Sequence, residues 1–214
     1  RDTFYTHSWG FAVEPTHHTG VLASKQLTDD LSIAVGLANT TGPETNGAGT
    51  GSGSSKTFLG YVSYTLPSGT GQLAGTELYY GIVSGNAAGA AGNNDDYHYA
   101  SIKLPEIVKN LSVTVAYDRV DSGTAGVANS NLAGLYLSYQ VNDDLTLNAR
   151  GEMGHINGAL AGTWADNADG IESITIGANY KIWDNVISRI EFRNDDKDGG
   201  DSQRTVAANM IYSF

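Results

Sequence analysis

The chain has 214 residues, no cysteine, 27 glycines, 12 tyrosines and a formal net charge of -11. That length fits one all-β domain better than two small ones, the acidic balance argues against nucleic acid as a partner, and the lack of cysteine excludes disulfide and thiol chemistry. No apolar run approaches the roughly 18 residues of a transmembrane helix, while a mean hydropathy of -0.24 still allows a membrane barrel with a polar lumen.

Residues 1–5 form neither the basic nor the apolar region of a signal peptide, so the chain reads as processed or as part of a longer sequence. In residues 1–16, Tyr5, Trp9, Phe11 and Val13 alternate with Thr6, Ser8, Gly10 and Ala12. His7 interrupts the apolar face and Glu14-Pro15 ends the pattern, leaving strand and inward-folded loop both open. From Thr19 the period is clearer. Val21, Ala23 and Leu27 share one face, a turn follows at Thr28–Asp30, and Leu31, Ile33, Val35 and Leu37 face away from Ser32, Ala34 and Gly36.

Later segments repeat this alternation, which marks strands with one apolar and one polar face. The apolar sets are Phe58, Val62, Tyr64 and Leu66; Leu78, Tyr80 and Ile82; Ala100, Ile102 and Leu104; Leu111, Val113, Val115 and Tyr117. They continue with Leu135, Leu137 and Tyr139; Leu145, Leu147, Ala149 and Met153; Ile174, Ile176, Ala178 and Tyr180; Val186, Ile190 and Phe192. The final strand carries Val206, Ala208, Met210, Tyr212 and Phe214 on one face, and the sequence given ends on that aromatic.

Connections alternate in length. Short turns at 28–30, 142–144 and 183–185 carry paired Asp or Asn, which initiate turns by bonding the backbone two residues on. Glycine- and polar-rich stretches at 39–55, 85–96, 121–130, 156–169 and 194–203 read as long loops. This is the pattern of an all-β, antiparallel up-and-down transmembrane β-barrel with short periplasmic turns and long extracellular loops, here about 11–12 strands in a single domain, 1–214.

With the short turns periplasmic, Tyr64, Tyr139, Tyr180, Tyr212 and Phe214 fall at one level, with Trp183 in the adjoining turn, as an interfacial aromatic girdle requires. Asp118, Arg150, Glu152, Lys181, Arg189, Glu191 and Arg193 share the polar face and are expected to line a water-filled pore, with acids and bases pairing across adjacent strands. A mid-strand arginine facing lipid would cost roughly 2–4 kcal/mol. Lys56, Arg119 and Arg204 point outward at the extracellular rim, where lipopolysaccharide phosphates are expected contacts. Nine aspartates, Asp95, Asp96, Asp121, Asp166, Asp169, Asp195, Asp196, Asp198 and Asp201, are placed in the extracellular loops. A negative mouth of that kind concentrates cations.

Residues 4–15, with Phe4-Tyr5, Ser8 and Pro15, followed by His18-Thr19-Gly20-Val21-Leu22, resemble the putative beta-barrel porin-2 family of Gram-negative outer-membrane proteins. Ile190-Glu191-Phe192-Arg193-Asn194-Asp195 and Tyr212-Ser213-Phe214 carry the same resemblance. It implies an outer-membrane location, a further N-terminal portion of strands, a whole barrel of about 16 strands, and residues 1–16 as an extracellular loop folded into the pore.

The acids of residues 194–199 begin like a calcium loop, but position twelve is Thr205 rather than a bidentate glutamate, so a solvated acidic loop is the plainer reading. His17, His18, His98 and His155 lack ligand spacing, and no serine, histidine and orienting partner mark a hydrolase. No metal, cofactor or enzymatic activity is therefore expected. The expected function is passive diffusion of small hydrophilic solutes and ions, in a protein surrounded by outer-membrane lipid and able to form a homo-oligomer. The alternative is a non-conducting barrel for anchorage or surface adhesion.

Overall fold

The computed structural model describes residues 3–41, 56–86, 94–123, 129–157 and 168–214. The first element is a five-residue helix, α1 Trp9–Val13. Eleven antiparallel strands follow in one sheet: β1 Gly20–Gln26, β2 Leu31–Ala38, β3 Thr57–Thr65, β4 Glu77–Asn86, β5 Asn94–Lys103, β6 Leu111–Asp121, β7 Ser130–Gln140, β8 Leu145–Ile156, β9 Ala168–Trp183, β10 Val186–Lys197 and β11 Asp201–Tyr212. Spatial order equals chain order, so every strand pairs with its sequence neighbours and β1 and β11 stand at the two ends of the order. A 3₁₀ turn at Ser68–Leu73 joins β3 to β4.

The register carries each apolar set into its neighbour's. Val35 lies opposite both Ala23 and Gly60, and Ile176 opposite both Ala149 and Phe192. Since side chains alternate with period two, one face of the sheet collects Val21, Leu37, Val115, Leu135, Met153, Ile174, Ile190 and Val206, all exposed. A continuous exposed apolar face on this scale belongs against hydrocarbon. At the short-turn end it finishes in tyrosines set against strand starts. Tyr64 pairs with Leu31, Tyr139 with Leu111, Tyr180 with Leu145 and Tyr212 with Val186.

The short turns form where the acidic pairs predict them, but by a neighbouring side chain. Asn142 Oδ1 accepts from the amides of Asp144 and Leu145, each at 2.9 Å, and Thr28 Oγ1 accepts from Asp30 at 3.3 Å. The bonding residue therefore precedes the acidic pair, leaving the acids free to face water.

Residues 194–203 correct the sequence reading. They form no long loop: β10 runs to Lys197, β11 starts at Asp201, and only a tight turn joins them. Gly199 and Gly200 take φ of 103° and 93°, a region open to glycine at little cost, which closes this hairpin. The acids here obey the strand period. Asp195 turns inward to Arg193, while Asp196 turns outward to Asn194 and Ser202. Asp95, Asp96, Asp121 and Asp169 likewise lie within strands rather than loops, and Asp166 lies outside the described residues.

Gly154 sits at the irregularity where β8 pairs β9, and a Cβ there would lie 2.0 Å from the Asn131 carbonyl oxygen of β7. Gly151, three residues earlier on the same strand, has open space at its Cβ position. Gly154→Ala is expected to destabilise the folded protein by about 1–3 kcal/mol and Gly151→Ala by no more than about 0.5 kcal/mol. Urea midpoints read by the gel shift of the folded form check the pair.

Candidate functional site

The polar face of β6–β10 holds the charged side chains, and residues 3–14 lie upon it. Within β8 and β10 an arginine and an acid two residues apart share a face, as strand geometry dictates. Arg150 Nε lies 2.9 Å from Glu152 Oε2 and Arg193 Nε 2.8 Å from Asp195 Oδ1. These ion pairs run along each strand rather than across strands as the sequence had suggested. The residues opposite are small: Thr175 faces both arginines, and Gly134 and Ser173 flank Glu152.

Arg150, Glu152, Glu191, Arg193 and Asp195 are each no more than 7% exposed. Charges so buried need partners, and the N-terminal segment provides them from its backbone. Arg150 donates to the Thr6 carbonyl at 2.9 Å and the His7 carbonyl at 3.3 Å, and also to Thr6 Oγ1 and Thr175 Oγ1, each at 3.1 Å. Arg193 donates to the His7 carbonyl at 2.6 Å. Glu191 accepts from the amides of Tyr5 and Thr6 at 2.9 and 3.2 Å and from the Thr6 hydroxyl. Glu152 accepts from the Trp9 amide at 2.7 Å, and Asp195 from the Trp9 indole at 2.7 Å.

Aromatic faces complete the seat. Arg150 lies 4.8 Å above the Phe4 ring and Arg193 4.8 Å above that of Trp9, a geometry in which the ring quadrupole attracts the cation. Ser8 caps the short helix by accepting from the Phe11 amide at 3.0 Å. A Cβ at Gly10 would stand 2.1 Å from Asp118 Oδ2, so a larger residue would require the Asp118 carboxylate to shift where the helix approaches β6. Val13 then closes an apolar cluster with Val120, Leu132, Ile156 and Ile171.

The structure thus gathers Asp118, Arg150, Glu152, Glu191 and Arg193 beneath one segment. Arg189 lies at its margin, donating to the Phe4 carbonyl at 2.9 Å and to Asn209 at 3.0 Å. Lys181 stands apart. It meets Asp184 at the short-turn end at 2.8 Å, and that contact holds the Asp184 carboxyl below its ordinary range. Tyr64, Tyr139, Tyr180, Trp183, Tyr212 and Phe214 are all exposed, with Tyr212 stacked on Phe214.

At the long-loop end Lys56 donates to Asn39 at 3.0 Å, Arg119 holds Asp121 at 2.6 Å and Arg204 donates to Asn194 at 3.1 Å. Sequence reasoning missed the partners, Thr6, Trp9, Gly10 and Thr175. The repeated Arg-x-acid spacing was the available signal, since it marks two charged groups on one face.

Arg150→Ala would strip the Thr6 carbonyl of its arginine donor, leave the His7 carbonyl to Arg193 alone, and remove the counter-charge paired with Glu152. Losing one partner of such a pair costs about 3–5 kcal/mol. Chymotrypsin applied to outer-membrane vesicles is expected to cleave the variant at Phe4, Tyr5, Trp9 or Phe11 and to spare the wild type at those sites.

Comparison with known proteins supports the same architecture. OmpTdeltaL8, a loop L8 deletion mutant of OmpT from Vibrio cholerae, matches at TM-score 0.67 and 13% identity over 100% of this chain and 70% of its own. The outer-membrane channel DcaP of Acinetobacter baumannii matches at TM-score 0.60 and 10% identity over 91% of this chain and 62% of its own. An anion-selective porin from Comamonas acidovorans matches at TM-score 0.63 and 13% identity over 90% of this chain and 58% of its own. At these identities the likeness is one of fold, and the chain spans less than two thirds of the length of two of the three. A search of curated protein sequences finds no match. The profile of one family, described as "Putative beta-barrel porin-2, OmpL-like", matches residues 1–214, and the chain belongs to that family of outer-membrane porins.

Proposed function

We propose that the protein gives passive, non-enzymatic diffusion of small hydrophilic solutes and ions across the outer membrane. The observation that carries this reading is the uneven filling of the polar face. Residues 3–14 cover β6–β10, while spaces of about 380 Å³ and 570 Å³ remain beside them. Asp118, Arg150, Glu152, Arg189, Glu191 and Arg193 then form the lumen wall, with the segment as a constriction laid across it, and Lys181 belongs to the periplasmic exit. Asp95, Asp96, Asp121 and Asp198 remain near the mouth, whereas Asp195 is bound to Arg193 and contributes little field there.

The exposed apolar face meets lipid, and the six aromatics form its periplasmic girdle. Lys56, Arg119 and Arg204 face the level of the lipopolysaccharide phosphates. Among the described residues β1 and β11 are each paired on one side only, and an open strand edge is not stable in hydrocarbon. Further strands of a longer chain therefore complete the wall, giving a barrel of about 16, and a homo-oligomer can form on the same outer face.

A second reading, a non-conducting barrel for anchorage or surface adhesion, is favoured by one observation: residues 4–9 of the segment are bonded to the wall through buried charges. Planar-bilayer recordings separate the two. The wild type is expected to conduct with a weak cation preference that fades as salt rises and the Debye length falls below ~8 Å. Deleting residues 3–14 is expected to raise single-channel conductance several-fold. No current from the intact protein would favour the second reading.

A further inference from the structure

The seated segment divides the lumen unequally. The inward arginines Arg150, Arg189 and Arg193 all lie on β8 and β10 and all donate to carbonyls of residues 4–7. Across from them, on β3–β5, Tyr61 and Tyr79 stack with centroids 5.4 Å apart, and Tyr99 meets Tyr79 edge-on at 5.7 Å. This shelf follows from register. Gly81 lies between Tyr61 and Tyr99 on the neighbouring strands, and the Tyr79 ring rests over it, 3.3 Å from where a Cβ would stand. The space of about 570 Å³ separates the shelf from Val13, Glu14 and Pro15, within the roughly 300–1,000 Å³ of small-molecule sites.

Two polar atoms of residues bordering that space have no hydrogen-bond partner. Asp118, opposite Tyr99 in the β5–β6 register, is 5% exposed and its Oδ1 has no hydrogen-bond partner. Glu14 borders the same space as Asp118. His18 Nδ1, also bordering the space, is buried and likewise unpartnered. Arg119, the cationic side chain beside them, is committed to Asp121. Two carboxyl groups bordering one space repel unless a positive group or a proton joins them, and tyrosine faces attract cations.

We propose that this space is a binding subsite for a small organic cation, an ammonium group carried on an apolar body. The ammonium donates to Asp118 Oδ1 and the Glu14 carboxylate, and the body lies on the Tyr61–Tyr79–Tyr99 shelf against Val13. The inference rests on reading the lumen as a solute path, since a ligand reaches the site through it.

Benzylammonium tests it, with benzyl alcohol as its neutral counterpart and benzoate as its anionic one. Titration calorimetry on the full-length protein in detergent is expected to show benzylammonium binding at least tenfold more tightly than either. Asp118→Asn should weaken it at least tenfold, and Glu14→Gln, outside the strands, should weaken it several-fold if the first variant fails to fold. Equal binding of benzyl alcohol, or no binding of benzylammonium, overturns the subsite. Bilayer current without charge-dependent binding keeps the channel and removes the subsite. Charge-dependent binding without current keeps the subsite and removes the channel.

Discussion

The structure depends on how a handful of buried charges on β8 and β10 are satisfied. Arg150, Glu152, Glu191, Arg193 and Asp195 stand on one face of two nearby strands, almost wholly withdrawn from water. The ion pairs within each strand neutralise net charge, but they leave guanidinium hydrogens and carboxylate lone pairs unmet. Backbone carbonyls and amides of residues 4–9 meet them. A segment with little regular structure of its own therefore gains a fixed position, since leaving it would strand several buried charges at once. Removing an entire network of this kind can be nearly neutral, whereas removing one member is costly.

That seat has consequences on both sides of the sheet. Concentrating the inward arginines on β8 and β10 leaves the tyrosine shelf of β3–β5 free of them, and the larger space remains there, bordered by Asp118 of β6. On the outer face the same period-two rule yields an apolar band, so the choice of residue at every second position decides lipid against lumen. Arg119 and Asp121 show the rule at its border. They repeat the Arg-x-acid spacing of the buried pairs, but with opposite parity, and so form an exposed pair at the rim.

Strands, their order and their faces were legible in the sequence because barrel strands bury one face in lipid, and lipid tolerates few exceptions. The short turns were legible from their paired acids, although Asn142 and Thr28 do the bonding. Residues 194–203 misled because aspartate and glycine favour loops in composition. Yet Arg193 and Asp195 against Asn194 and Asp196 already followed the strand period, and that pattern was the better guide. Residues 1–16 were not decidable. The two acidic partners of Trp9 lie 143 and 186 residues away, and no local signal in Trp9–Val13 announces a helix held by Glu152 and Asp195.

The seating of the N-terminal segment is most directly tested by cross-linking. The chain has no native cysteine, so a cysteine pair introduced by Ala12→Cys and Gln203→Cys, which border one cavity, reports only on that contact. A short bismaleimide applied to intact outer membranes should join the two sites in most molecules. Free modification of both cysteines by a bulky aqueous maleimide, with no cross-link, would contradict the account.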